Sequence, residues 1–136
     1  MICATLPLPP SANRMWRKAR NRLYPAPSYE AWKQAAGLIL NVAAAGKAID
    51  GPYALTMRIG CMTGRRLDLD NYLKPVNDLL QTCGAIRNDS DCQAIDLAWA
   101  TGVQGAVVTV TAADLTPRQA PKAASQPVPV RRKASA

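Results

Sequence analysis

The segment Leu67-Asp68-Leu69-Asp70-Asn71 carries two carboxylates two positions apart. In an extended chain successive side chains alternate, so Asp68 and Asp70 share one face and the two leucines the other. Both acids can then approach the same ion. Magnesium takes hard oxygen ligands and keeps several waters, so two or three carboxylates leave coordination positions open for a phosphate. An ion held this way activates water and neutralises charge on phosphorus, which needs no histidine. Asn88-Asp89-Ser90-Asp91 offers a third acid, but spacing alone does not bring it to Asp68. Lys74 is a candidate phosphate contact or a stabiliser of developing charge beside the carboxylates. Each group also has a plainer reading. Asp-x-Asp-Asn ahead of a helix caps it, Asn-Asp-Ser-Asp makes a turn, and a lysine near a helix start is an ordinary surface cation disfavoured by the helix dipole.

A second constellation is basic. Arg14, Arg17, Lys18, Arg20 and Arg22 crowd into nine residues, with Trp16 and Tyr24 among them. Arg14, Arg17 and Lys18 suit phosphates, and Trp16 is either a platform for an unpaired base or a core anchor. The chain has 17 Lys and Arg against 9 Asp and Glu, a formal charge of +8, which points to a polyanionic partner. Residues 1–114 hold 12 basic and 9 acidic side chains, while 115–136 hold 5 basic and none acidic.

The absence of histidine, and four cysteines (Cys3, Cys61, Cys83, Cys92) that form no C-x-x-C pair, exclude Cys/His zinc sites and Cys/His nucleophiles. Buried free thiols in a reducing compartment are expected. No apolar run reaches membrane-spanning length, and Met1 to Leu8 does not resemble a signal peptide, so a cytoplasmic protein without membrane contact is expected.

The elements that must position these groups fit one domain of 136 residues. Ile2 to Leu6 reads as a short strand, with Pro7, Pro9 and Pro10 confining the next residues to an edge or an extended loop. Residues 11–27 read as an irregular basic loop punctuated by Pro25 and Pro27. Ser28 caps a helix whose stripe is Trp32, Ala35, Ala36, Ile39, Leu40 and Ala43, ending at Gly46. Tyr53, Leu55, Met57 and Ile59 alternate with polar neighbours as a half-buried strand. A second helix is predicted from near Asn71, with Pro75 in its first turn, Leu73, Val76, Leu79, Leu80 and Cys83 as its stripe, and Gly84 at its end. Short strands are predicted around Ala94 to Thr101 and Ala106 to Thr111. The expectation is an α+β domain over 1–114, a small mixed sheet packed with two main helices. From about Thr116 the chain has four prolines and no apolar residue larger than valine, so 115–136 is expected to be a disordered basic tail.

Three separated motifs, in order, resemble the RusA family of Holliday junction resolvases. They are Leu6-Pro7-Leu8-Pro9-Pro10-Ser11-Ala12-Asn13-Arg14, then Arg66-Leu67-Asp68-Leu69-Asp70-Asn71 with Lys74 and Asp78, then Gly84 with Asn88-Asp89-Ser90. The resemblance frames residues 1 to about 112. It implies a homodimer in which Asp68, Asp70 and Asp89 bind magnesium, or manganese in its place, and Lys74 assists catalysis. Each subunit would nick one of two symmetric strands of a four-way DNA junction. Asn13, Arg14, Arg17, Lys18, Arg65, Arg66 and Asn71 are the residues expected on DNA.

The chain departs from the family pattern at two places. The loop has Asn88-Asp89 where two acids are common, which makes Asp91 a reserve ligand. Leu67 stands where a basic residue often precedes the first aspartate, a role Arg65 and Arg66 could take. Two other functions fit the same residues: a nuclease that prefers flaps or forks, and a non-catalytic DNA-binding protein whose acids are caps and turns.

Overall fold

Four strands form one mixed sheet: β1 (Ile2–Leu6), β4 (Tyr53–Gly60), β5 (Cys92–Ala100) and β6 (Ala106–Ala112). A separate hairpin is built from β2 (Trp16–Ala19) and β3 (Arg22–Pro25), and the two main helices are α1 (Pro27–Ala44) and α2 (Leu73–Thr82). These elements come from a computed structural model that describes residues 1–60 and 68–113. Arg65, Arg66 and the segment 115–136 lie outside the described residues.

Spatial order in the sheet is β1-β6-β4-β5. β4 runs parallel to β5 and antiparallel to β6, which is itself antiparallel to β1. The chain between the parallel pair contains α2, as a parallel connection requires a crossover. Alternation along β4 is as the sequence predicts: Tyr53, Leu55, Met57 and Ile59 are buried, and Ala54, Thr56 and Arg58 face the half-exposed side. Ile2, Ala4 and Leu6 of β1 and Ala106, Val108 and Val110 of β6 extend this buried face, against which the helices pack. The fold is α+β, a small mixed sheet with two main helices in a single domain.

Gly105 sits at φ +81, and a Cβ there would collide with the Leu6 carbonyl. The turn into β6 therefore needs glycine for both backbone conformation and space.

α1 differs from expectation at both its start and its face. Ala26 is the N-cap and Pro27 the first helical residue, so Ser28 lies inside the first turn and makes no cap bond. Proline is favoured at this position because it has no amide hydrogen to leave unpaired. Tyr29, Trp32, Ala36, Gly37 and Leu40 are buried, whereas Ala35 and Ile39 of the expected stripe, with Leu38 and Val42, are exposed. The buried face is turned toward Tyr29, whose ring stacks on Trp32 at 6.4 Å. Trp32 Nε1 donates to the Pro7 carbonyl at 2.9 Å, tying the helix to the chain that leaves β1.

Residues 11–27 are not an irregular loop. A 3₁₀ turn (Ala12–Arg14) leads into the β2–β3 hairpin, which pairs Trp16 with Pro25 and Ala19 with Arg22. Only Arg20 and Asn21 lie between the strands, both at positive φ (22 and 59), the backbone that two-residue hairpins require. Met15 and Ala26 are buried at its base, where the Ala26 amide donates to the Met15 carbonyl at 2.8 Å.

Candidate active site and nucleic-acid interface

Asp68 and Asp70 do not share an extended strand. Asp68 is extended (φ −77, ψ 120), but Leu69–Tyr72 forms a 3₁₀ turn that runs directly into α2. Apolar anchoring explains the turn: Tyr72 is buried and meets Trp99 of β5 edge-on, with ring centroids 5.8 Å apart. The relative placement of the two carboxylates is consequently set by the turn and not by strand alternation. Both residues are exposed, and Asp68 occupies the N-cap position without making a side-chain cap bond. The capping role that would make it merely structural is therefore unfilled.

Lys74 lies one helical turn beyond Asp70. Its Nζ is 3.6 Å from Asp78 Oδ2, in an i,i+4 pair with the lysine 62% exposed, so the pairing is weak and its ammonium is available to a ligand. Lys74, Asn77 and Asp78 form the polar face of α2, opposite buried Val76, Leu79 and Leu80, and Asn71 precedes them in the 3₁₀ turn. The Ala12–Arg14 turn packs against both the Leu69–Tyr72 turn and α2. The turn that carries Asn13 and Arg14 thus stands beside the Leu69–Tyr72 turn, although more than 50 residues separate them in the chain.

Asp89 is placed differently. The Asp89–Asp91 3₁₀ turn abuts α2 just before β5. Buried Tyr53 fixes it there: its hydroxyl lies 3.4 Å from Asn77 Oδ1 and 3.5 Å from the Asp89 carbonyl. Asn77 follows Asp70 by seven residues, roughly 10 Å at the rise of a helix. Among the described residues, no group of three or more His, Cys, Asp or Glu side chains is close enough to hold a metal ion.

The Asn88 side chain accepts from the Ser90 amide at 2.9 Å and so supplies the turn-forming bond itself. That leaves the Asp89 carboxylate exposed and outside the side-chain hydrogen bonds of the described residues. In Asp91, Oδ2 is buried without a hydrogen-bond partner, and its nearest cation is Arg87 Nε at 3.9 Å. By contrast Asp96 is fully accounted for. Arg58 grips both its oxygens at 3.1 and 2.9 Å, and this hydrogen bonding lowers the Asp96 carboxyl from its usual range.

Sequence reasoning missed Asn77, which bridges α2 to the Asp89 turn through Tyr53; its spacing of three from Lys74 on the polar helix face was the available signal. The described cysteines also differ from the expected buried thiols. Cys3 is exposed, while Cys83 and Cys92 are half-buried.

In the basic segment, Arg14, Arg17, Lys18, Arg20 and Arg22 are all exposed, and none joins an ion pair among the described residues. The Ala12–Arg14 turn, which leads into the cationic hairpin, packs against the acidic Leu69–Tyr72 turn.

Against this geometry, the family model for endodeoxyribonuclease RusA matches residues 7–111. The chain belongs to the RusA endodeoxyribonuclease family. It is accordingly a nuclease enzyme, and the matched region contains both the hairpin and the acidic segments. No individually curated protein matches the chain. Among the described residues, no helix of this RusA-family nuclease is long and apolar enough to cross a membrane.

Proposed function

We propose that this RusA-family enzyme resolves four-way DNA junctions by paired, symmetric phosphodiester nicks, using a divalent cation, in recombination and repair. The observation that carries the reading is that Asp68 and Asp70 are exposed carboxylates, Asp68 with its capping role unfilled, on a segment packed against the Ala12–Arg14 turn, which opens a run of cations that join no ion pair among the described residues. A cap or turn role would have engaged them.

Carboxylate oxygens suit magnesium, with manganese the alternative, and Asp91 Oδ2, which has no hydrogen-bond partner and only a long ion pair to Arg87, adds a donor of the same hard type. Asp68 and Asp70 would hold the ion; Asp89 would join them as third ligand, with Asp91 in reserve, although the described residues of one subunit do not gather three acids. A bound ion of this kind supplies an activated water and charge neutralisation. Lys74 faces the phosphate and offsets negative charge as it develops. Asn13, Arg14, Arg17, Lys18 and Asn71, with Arg65 and Arg66, contact the phosphate backbone. Two subunits, each cutting one strand, account for symmetric paired nicks. A DNA substrate suits a cytoplasmic location.

The test is incubation of a labelled four-way junction, a flap, a fork and a linear duplex with magnesium or EDTA, beside Asp70→Asn. Paired nicks in the junction alone, requiring both magnesium and Asp70, are expected. Asp70→Asn and Asp89→Asn should each lower cleavage at least 100-fold, about 3 kcal/mol of barrier, while retaining junction binding. Binding without any cleavage would leave a DNA-binding protein, and preferential cleavage of flaps or forks would move the substrate assignment.

A further inference from the structure

A cleft of about 420 Å³ opens between the hairpin and the start of α1, lined by Asn13, Arg14, Trp16, Arg17 and Ser28. Its lining has no acidic residue. Neither arginine is neutralised by an ion pair among the described residues. Trp16 is 46% exposed, which is costly for so large an apolar ring unless something covers it.

The indole is held in place from one side. Tyr29 packs against it with ring centroids 6.2 Å apart and planes at 51°, and Tyr29 is itself stacked on buried Trp32. The platform is therefore rigid, while much of its surface faces solvent. A rigid aromatic surface beside two guanidiniums matches a nucleotide, with base on ring and phosphate on arginine. Cavities of this size take a small ligand, whereas a base within a duplex keeps its π-faces stacked on its neighbours and cannot present one.

We propose that the Asn13–Ser28 cleft binds one unpaired nucleotide, its base stacked on Trp16 and its phosphate held by Arg14 and Arg17. The cleft adjoins the acidic turn through Ala12–Arg14, so a nucleotide captured there places the adjoining backbone next to Asp68 and Asp70. Selection of branched over linear DNA would then begin with recognition of an unstacked base. This inference rests on the nucleic-acid reading above, but it does not depend on the hydrolytic chemistry.

The test uses the full chain in EDTA with two duplex probes of the same sequence, one containing a single unpaired 2-aminopurine and the other fully paired. The wild type should bind the unpaired probe roughly tenfold or more tightly, the size of one base–aromatic stack, and should quench the 2-aminopurine. Trp16→Leu, which keeps an apolar contact for Tyr29, should abolish both the preference and the quenching, whereas Trp16→Phe should retain most of each. Equal wild-type binding of the two probes, or an equal loss on both with Trp16→Leu, would overturn the proposal and make Trp16 a packing residue. Junction cleavage in magnesium is read separately. Cleavage without the unpaired-base preference sinks the cleft alone, and the preference without cleavage sinks the nuclease mechanism alone.

Discussion

Tyr53 shows how one buried side chain sets the position of a candidate site residue. It is fully enclosed, and its hydroxyl spans Asn77 of α2 and the Asp89 carbonyl. Burial raises its phenol above the ordinary 10.0, reinforced by Cys92 and by the Asp89 and Asp91 carboxylates. The folded protein therefore keeps the proton where the unfolded chain loses it, so this contribution to stability is complete below pH 10 and declines as pH rises above it. Denaturant midpoints measured at pH 8 and pH 11 should fall for the wild type and fall less for Tyr53→Phe. Tyr29, also raised by burial, preserves part of the slope. At pH 8 the same substitution should cost about 1 kcal/mol, the worth of one modest hydrogen bond. Residue types alone marked the carboxylates as candidates. They did not show that the Leu69–Tyr72 turn replaces an extended segment, because Tyr72 docks on Trp99, 27 positions further along the chain.

Among the elements, those with a strong apolar period were legible. β4 alternates as read, and α2 buries Val76, Leu79 and Leu80 as its stripe requires. The β2–β3 hairpin was not legible because Arg20-Asn21 lacks the glycine that usually marks a two-residue turn, and its short strands are largely exposed and show no clean apolar alternation. Asn21 at φ 59 enters the left-handed region more readily than other side-chain-bearing residues do. Asn21→Val should therefore destabilise the hairpin by roughly 1–2 kcal/mol, since a β-branched residue resists positive φ. Hydrogen exchange should show faster exchange of the β2–β3 amides with the β4–β6 amides unchanged. DNA affinity should fall with it, because the exposed cations lose their common frame.

Across the whole molecule, charge is divided by position: acid on the turns flanking α2, base on the hairpin, and five further cations in 115–136. The tail is expected to add affinity without adding fold. Truncation after Asp114 should leave the thermal midpoint in place and reduce the slope of log affinity against log salt by up to about four, given roughly 0.9 per phosphate neutralised. An unchanged slope would show that the tail makes no phosphate contact. The division of charge could be read directly from composition. The adjacency of the Ala12–Arg14 and Leu69–Tyr72 turns could not, because it arises from packing between distant turns.

The sheet order also governs how the chain can be made. The last strand among the described residues, β6, enters the middle of the sheet, between β1 and β4. Ile2 waits for Val110, and Leu55 pairs with that same residue from the other side. During synthesis at roughly 5–20 residues per second, β1 has no sheet partner for several seconds. A chain stalled or clipped before Ala106 would leave β1 and β4 with open edges and no shared neighbour. Such a fragment is a target for chaperones and proteases, and the nuclease becomes competent only after nearly all of its folded domain has been translated.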